Sequence, residues 1–127
     1  MTNFNQAIAK LTGQLYHNGN QAERAICTRK FIDHHFDMPI PLDKIAHAVH
    51  CSKFHLNREF KRHYGITPSQ YLKDQRILEA KKLLSGNSSV SSACYTVGYD
   101  SLSTFSMLFR QWTGSSPSDY KKARMNK

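Results

Sequence analysis

Long apolar runs are missing from this sequence: no stretch approaches the roughly 18 residues that a membrane-spanning helix requires. The opening MTNFNQAIAK has neither the charged nor the apolar region of a secretory signal, so the chain is expected in the cytoplasm. Cysteine is scarce and odd in number, Cys27, Cys51 and Cys94, without a CxxC spacing, which argues against a disulfide framework and for small reduced core residues. No Gly-rich phosphate loop occurs and the serines gather at caps and turns, so no catalytic constellation assembles and an enzyme is not expected. Six of the seven histidines lie between His34 and His63, yet the spacing of His47, His50, Cys51 and His55 is wrong for a rigid zinc site, because a turn at 50–51 breaks the helical relation of His47 to Cys51. Neither metal nor other cofactor is expected. Acidic residues are the last shortage: 9 Asp and Glu face 18 Lys and Arg, a net charge of +9. Residues 42–86 carry nine cations against four anions and residues 87–127 five against two, so the excess sits where a polyanion binder would need it.

What is present fits one ordinary domain, or two very small ones sharing a strut: 127 residues, 39% apolar, with 7 Phe, 6 Tyr and one Trp to build a modest core. The strut is Thr67 to Leu84, TPSQYLKDQRILEAKKLL. Thr67 reads as N-cap, Pro68 as first helical residue, Gln70 as the closing member of a capping box and Gly86 as the stop. Its apolar residues fall in two stripes: a wide one with Leu72, Ile77, Ala80, Leu83 and Leu84, and a narrow one with Tyr71 and Leu78. Two stripes imply burial against two bodies. Arg76 sits inside the wide stripe, so its charge requires a partner, a carboxylate or a phosphate.

Before the strut, Phe4, Ile8, Leu11 and Leu15 recur at helical spacing up to the turn signal Asn18-Gly19-Asn20. From about Ala22 to His35 a packing helix is predicted, with Ala25, Ile26, Phe31 and Ile32 on one side and Pro39 and Pro41 beyond its end. LDKIAHAV at 42–49 is a short amphipathic helix, with Pro41 in a first-turn position. After the turn at His50-Cys51, Ser52 caps a longer helix that runs to Tyr64 and stops at Gly65. Leu56, Phe60 and His63 share its packing side, and Phe54, Asn57, Arg58 and Lys61 share the opposite one.

The same order returns beyond the strut. VSSACYTV at 90–97 matches LDKIAHAV, and with the offset grown by one residue Ser101, Phe105, Phe109, Arg110 and Gly114 match Ser52, Leu56, Phe60, Lys61 and Gly65. Ser116-Pro117-Ser118 and Tyr120 echo Thr67-Pro68-Ser69 and Tyr71. Each unit is a short helix, a tight turn and a second helix with polar residues outward, the layout of a helix-turn-helix. Ala46 and Cys94 are the small residues at the helix crossing. Gly98 supplies backbone freedom in the second turn, where the first has His50, so the two turns are expected to differ.

With these motifs in view the chain resembles the DNA-binding domain of the AraC/XylS family of bacterial transcription regulators over roughly residues 22–122. The resemblance is carried by FIDHHFDMPIPLDKIA, SKFHLNREFKRHYGITPSQYL, the Arg76 and Ala80 pair of RILEAKKLL, and VGYDSLSTFSMLFRQWTGSSPSDYK. It implies an all-α fold of about seven helices in two helix-turn-helix subdomains, at 22–66 and 86–127, joined by a linker helix at 67–85. Residues 1–21 are then an N-terminal extension or a linker remnant. It also implies two recognition helices in neighbouring major grooves of double-stranded DNA. RNA polymerase is expected as a further partner, and because one chain carries both reading helices the fragment is expected to bind an asymmetric site as a monomer. The family's frequent N-terminal effector domain is not among these residues, so the chain is a short member or the DNA-binding part of a longer regulator.

Base contacts are expected from Phe54, Asn57 and Arg58 on the first recognition helix: Arg58 can donate twice to guanine, Asn57 can pair with adenine, and Phe54 can pack on a thymine methyl. On the second, the matching face is Ser103, Ser106 and Met107. Met107 stands where Arg58 stands in the first unit, so looser readout is expected there. Lys53, Lys61, Arg62 and Arg110 are placed to hold phosphates. Lys121, with Lys122 and Arg124, follows a capped start at Ser116 and either reaches the DNA backbone or is solvated. The competing class is a basic helical interaction module that contacts an acidic partner of the transcription machinery. The strut length, about 25 Å for 17 residues, suggests that one residue inserted near Lys81 would put the two reading helices out of phase.

Overall fold

The computed structural model describes residues 21–125 together with Gln6. The helix suggested by Phe4, Ile8, Leu11 and Leu15 lies outside the described residues. Seven helices and no strands occur among residues 21–125: α1 (Gln21–His35), α2 (Leu42–Ala48), α3 (Lys53–Tyr64), α4 (Pro68–Ser85), α5 (Val90–Thr96), α6 (Leu102–Thr113) and α7 (Pro117–Met125). None of the described helices is long and apolar enough to cross a membrane. Two compact units meet within α4, one running up to Lys73 and the other from Asp74 onward.

In the first unit, Cys27 and Phe31 of α1, Ile45, Ala46 and Ala48 of α2, Val49, and Leu56 of α3 form the core, with Ile40, Leu42 and Cys51 packed at its edge. Phe60 is fully buried and meets the rings of Tyr64 and Tyr71 at 4.8 and 5.7 Å. In the second unit the core is Ile77, Ala80 and Leu84 of α4, Ala93 and Cys94 of α5, Val97, Tyr99, and Phe105 and Phe109 of α6. Burying each of these larger side chains contributes about 1.5–3 kcal/mol. All three cysteines are free thiols, Cys27 and Cys94 buried and Cys51 half-buried.

The strut begins as its sequence dictates. Thr67 and Gln70 exchange hydrogen bonds, Thr67 N to Gln70 Oε1 at 3.0 Å and Gln70 N to Thr67 Oγ1 at 3.2 Å, closing the capping box. The two stripes are used differently from what their angles suggest. Ile77, Ala80 and Leu84 are buried in the second unit, and Tyr71 packs in the first, but Leu78 is 48% exposed. The helix passes from one unit to the other once, between Lys73 and Asp74, so its partners depend on position along it as well as on side. Arg76 lies over the Tyr99 ring at 5.0 Å from the centroid, an aromatic partner for its charge.

Two further expectations are corrected. Pro41 is the N-cap of α2 and not its first helical residue; having no side-chain acceptor, it offers its carbonyl to the N–H groups of Lys44 and Ile45. The two turns have the same construction. After α2, His50 N–H donates to His47 O and Cys51 N–H to Ala46 O; after α5, Gly98 N–H donates to Tyr95 O and Tyr99 N–H to Cys94 O. Both are Schellman closures, which need a positive φ at the residue past the cap. Gly98 meets the need at φ 105°, and His50 meets it at φ 61° despite its side chain.

Candidate nucleic-acid interface

The repeated helices α3 and α6 are held at both ends by matching devices. Ser52 Oγ accepts from His55 N at 3.0 Å and Ser101 Oγ accepts from Thr104 N at 3.3 Å. Gly65 and Gly114 end the helices at φ 84° and 85°, their N–H groups donating to the carbonyls of Lys61 and Arg110. A Cβ at either glycine would find open space, so the backbone angle alone selects glycine there.

On α3 the inner side is Leu56, Glu59 and Phe60, all buried. The outer side presents Lys53, Phe54, Arg58, Lys61 and Arg62, all exposed, with Asn57 half-buried at the margin. Phe54 is 74% exposed, and the Lys53 ammonium lies 5.9 Å from its ring centroid. Four cations around an uncovered aromatic ring make a surface suited to a phosphate backbone and to the methyl groups and acceptors of base edges. His63, expected on the packing side, is exposed; the packing position it was assigned is taken by Glu59, one helical step away.

On α6, Ser103, Met107 and Arg110 are exposed and Ser106 is half-buried like its counterpart Asn57. Thr104 and Gln111 are also exposed on this side and extend the same face beyond the residues expected from the match to α3. Gln111 corresponds to Arg62 and offers an amide where the first unit offers a guanidinium. Met107 is 54% exposed. Lys121 is half-buried and donates from Nζ to Ser88 O at 2.7 Å, tying α7 to the start of the second helix-turn-helix. Lys122 and Arg124 are exposed, and Arg124 lies over the Tyr120 ring. Among the described residues no group of three or more His, Cys, Asp or Glu is placed to hold a metal ion.

A family model described as a helix-turn-helix domain matches residues 45–123, which runs from α2 through α7. The chain belongs to the AraC-type helix-turn-helix family. Among curated relatives it is 31% identical over 94 residues to the bifunctional transcriptional activator/DNA repair enzyme AdaA of Bacillus subtilis, a match covering 73% of this chain and 44% of AdaA. It is also 31% identical over 106 residues to the transcriptional activator RhaS of Escherichia coli, covering 83% of this chain and 38% of RhaS. The chain therefore spans less than half the length of either relative. Among solved structures, the DNA-binding domain of the global transcriptional factor AdpA, in complex with a target DNA, superposes with a TM-score of 0.73 at 27% identity, covering 78% of this chain and 90% of that one. The AraC-type domain thus accounts for both helix-turn-helix units and for the helix that joins them.

Proposed function

We propose that this chain is the sequence-specific DNA-binding part of a transcription regulator, with α3 and α6 as recognition helices in successive major grooves. The observation that carries the reading is the outward face of α3. A helix of an AraC-type domain, capped at both ends, presents Phe54, Arg58, Lys61 and Arg62, all exposed. Arg58, Asn57 and Phe54 read bases; Lys53, Lys61, Arg62 and Arg110 hold phosphates; Ser103, Ser106 and Met107, joined by Thr104 and Gln111, read more loosely in the second groove. Lys121 acts first as a tie to Ser88, with its remaining N–H donors available to a phosphate.

The relatives named transcriptional activators support RNA polymerase as the protein partner. One chain carries both reading helices, which supports binding as a monomer to an asymmetric site. A place in the cytoplasm suits a chain that binds DNA in a bacterial cell. The DNA repair activity in the name of AdaA is read as belonging to the larger share of AdaA that this chain does not match.

The test is a salt titration with duplex DNA. With four or five phosphates neutralised, the logarithm of affinity should fall against the logarithm of salt with a slope of about −4, and selection from a randomised duplex pool should enrich one asymmetric sequence. A chain that ignores duplex DNA at low salt would instead be the basic protein-interaction module.

A further inference from the structure

Glu59 lies on the inner side of α3, next in sequence to Arg58 on the outer side, and its side chain is only 2% exposed. A buried carboxylate needs partners, and two lie among the described residues. Arg24 of α1 grips it with both prongs of the guanidinium, Nε to Oε2 at 3.0 Å and Nη2 to Oε1 at 2.5 Å. His55 Nε2 lies 2.7 Å from the same Oε1, from one turn earlier on α3. The pairing raises the pKa of Arg24 through its hydrogen bond to Glu59, keeping the guanidinium charged.

The internal repeat shows that the fold does not need this arrangement. The residue of α6 that corresponds to Glu59 is Leu108, which packs against the apolar core of the second unit. The same helix-turn-helix, with the same caps and the same turn, is therefore built with a leucine at this position. A buried ion pair is also a poor way to gain stability, since apolar residues of similar volume do as well or better. What it adds is direction. Apolar contacts between α1 and α3 tolerate small rotations, whereas a two-pronged guanidinium–carboxylate pair fixes distance and angle together. The unit that carries the pair is also the unit whose reading face holds Arg58 and Asn57, groups that discriminate bases only in good geometry. The unit with leucine presents Met107 in place of Arg58.

We propose that Arg24 and Glu59 are positioning residues for base recognition: the pair sets the rotation of α3 about its own axis, and with it the site preference of the first unit. Arg24 lies outside the stretch matched by the family model, which begins at residue 45. The inference rests on the DNA-binding reading given above.

The experiment compares the natural chain, the double variant Arg24→Met with Glu59→Leu, and Arg24→Lys, which keeps the charge and loses the fork. The probes are a duplex enriched by the natural chain from a randomised pool, its single-base-pair variants, and a random duplex. Folding is followed by helicity and urea midpoint. The double variant should fold and bind the random duplex as before, while its preference for the enriched duplex over variants under α3 falls about tenfold, the size of one bidentate base contact. Arg24→Lys should lose part of that preference. Undiminished discrimination in a folded double variant overturns the proposal, and so does an equal loss on every duplex, which would be an effect of charge or stability. Should the double variant not fold, Arg24→Lys decides, and full discrimination there overturns it. If the natural chain enriches no sequence, the DNA-binding reading itself fails, and the inference with it.

Discussion

Tyr71 at the start of α4 donates its phenolic hydrogen to Oδ1 of Asp33 near the end of α1, at 2.5 Å. The contact anchors the first turn of the strut to the helix that backs α3. Burial first, and then the hydrogen bond to Asp33, push the pKa of Tyr71 from its ordinary 10.0 up to about 12.

A phenol whose pKa is raised by folding favours the folded state in its protonated form. Its contribution is therefore complete below pH 10 and is lost as pH rises through about 12. Tyr71→Phe should cost about 1 kcal/mol at neutral pH, the net value of one hydrogen bond, and should flatten the fall in stability between pH 10 and 12. Tyr64 and Tyr99 are also raised by burial, so the check is the difference between natural and variant urea curves across that range. An unchanged alkaline slope in the variant would remove Tyr71 as its source.

The paired turns make a second prediction. His50 at φ 61° lies in the left-handed region, where a side chain costs about 1–2 kcal/mol. His50→Gly relieves this strain but frees the unfolded chain by about 0.4–1 kcal/mol, so a net gain of about 0.5 kcal/mol is expected. Gly98 at φ 105° lies beyond the angle that a Cβ tolerates well, and Gly98→Ala should lose about 1–3 kcal/mol. Urea unfolding of both variants tests the order, and a harmless Gly98→Ala would mean that the second turn relaxes freely.

The repeat, the caps and the apolar cores were legible because each follows a local rule: serine or threonine before a helix, glycine after it, leucine and phenylalanine every three or four residues. Ser52, Ser101, Gly65 and Gly114 are placed as those rules require. The misses share another cause. Glu59 looks like a solvated carboxylate until Arg24, 35 residues earlier, is brought to it by the packing of α1 on α3; the i, i+4 pair His55 and Glu59 was the available signal. His50 was judged by its side chain, whereas the Schellman hydrogen bonds impose the backbone angle whatever residue is present. Helical angles placed Leu78 and His63 inside, but an angle names a side and cannot say where along the helix the neighbouring body ends.

On the reading face, Arg58→Ala should cost about 1–3 kcal/mol on the preferred duplex and relax preference at one base pair. Lys61→Ala should weaken all duplexes alike and reduce the salt slope by about 1. Both side chains are exposed, so neither change should move the unfolding midpoint by more than about 0.5 kcal/mol. Affinities for the preferred duplex and its single-base variants separate the two roles; sequence-blind losses from both would assign both residues to phosphate.

The strut supplies the last prediction, and the structure moves where it must be tested. Near Lys81 an inserted residue would turn Leu84 by about 100° relative to Ala80 and Ile77, and all three are buried in one core. Such a variant would lose binding by losing the second unit, which says nothing about phase. The division between the units falls between Lys73 and Asp74, after Tyr71 has met Asp33 and before Arg76 reaches Tyr99. One alanine inserted there lengthens the helix by about 1.5 Å and rotates everything beyond it by about 100°, while each unit keeps its own contacts with the strut. Two recognition helices that must enter one duplex together then lose their common phase, unless the DNA is deformed at a cost of a few kcal/mol. Affinity for the preferred duplex should therefore fall by about a hundredfold, or about 2.8 kcal/mol at about 1.4 kcal/mol per factor of ten, with helicity and urea midpoint retained. A second insertion set, of three or four alanines, comes close to a full turn of 3.6 residues and should recover part of the loss. Full affinity in the folded single-insertion variant would mean that only one of the two helices holds the DNA.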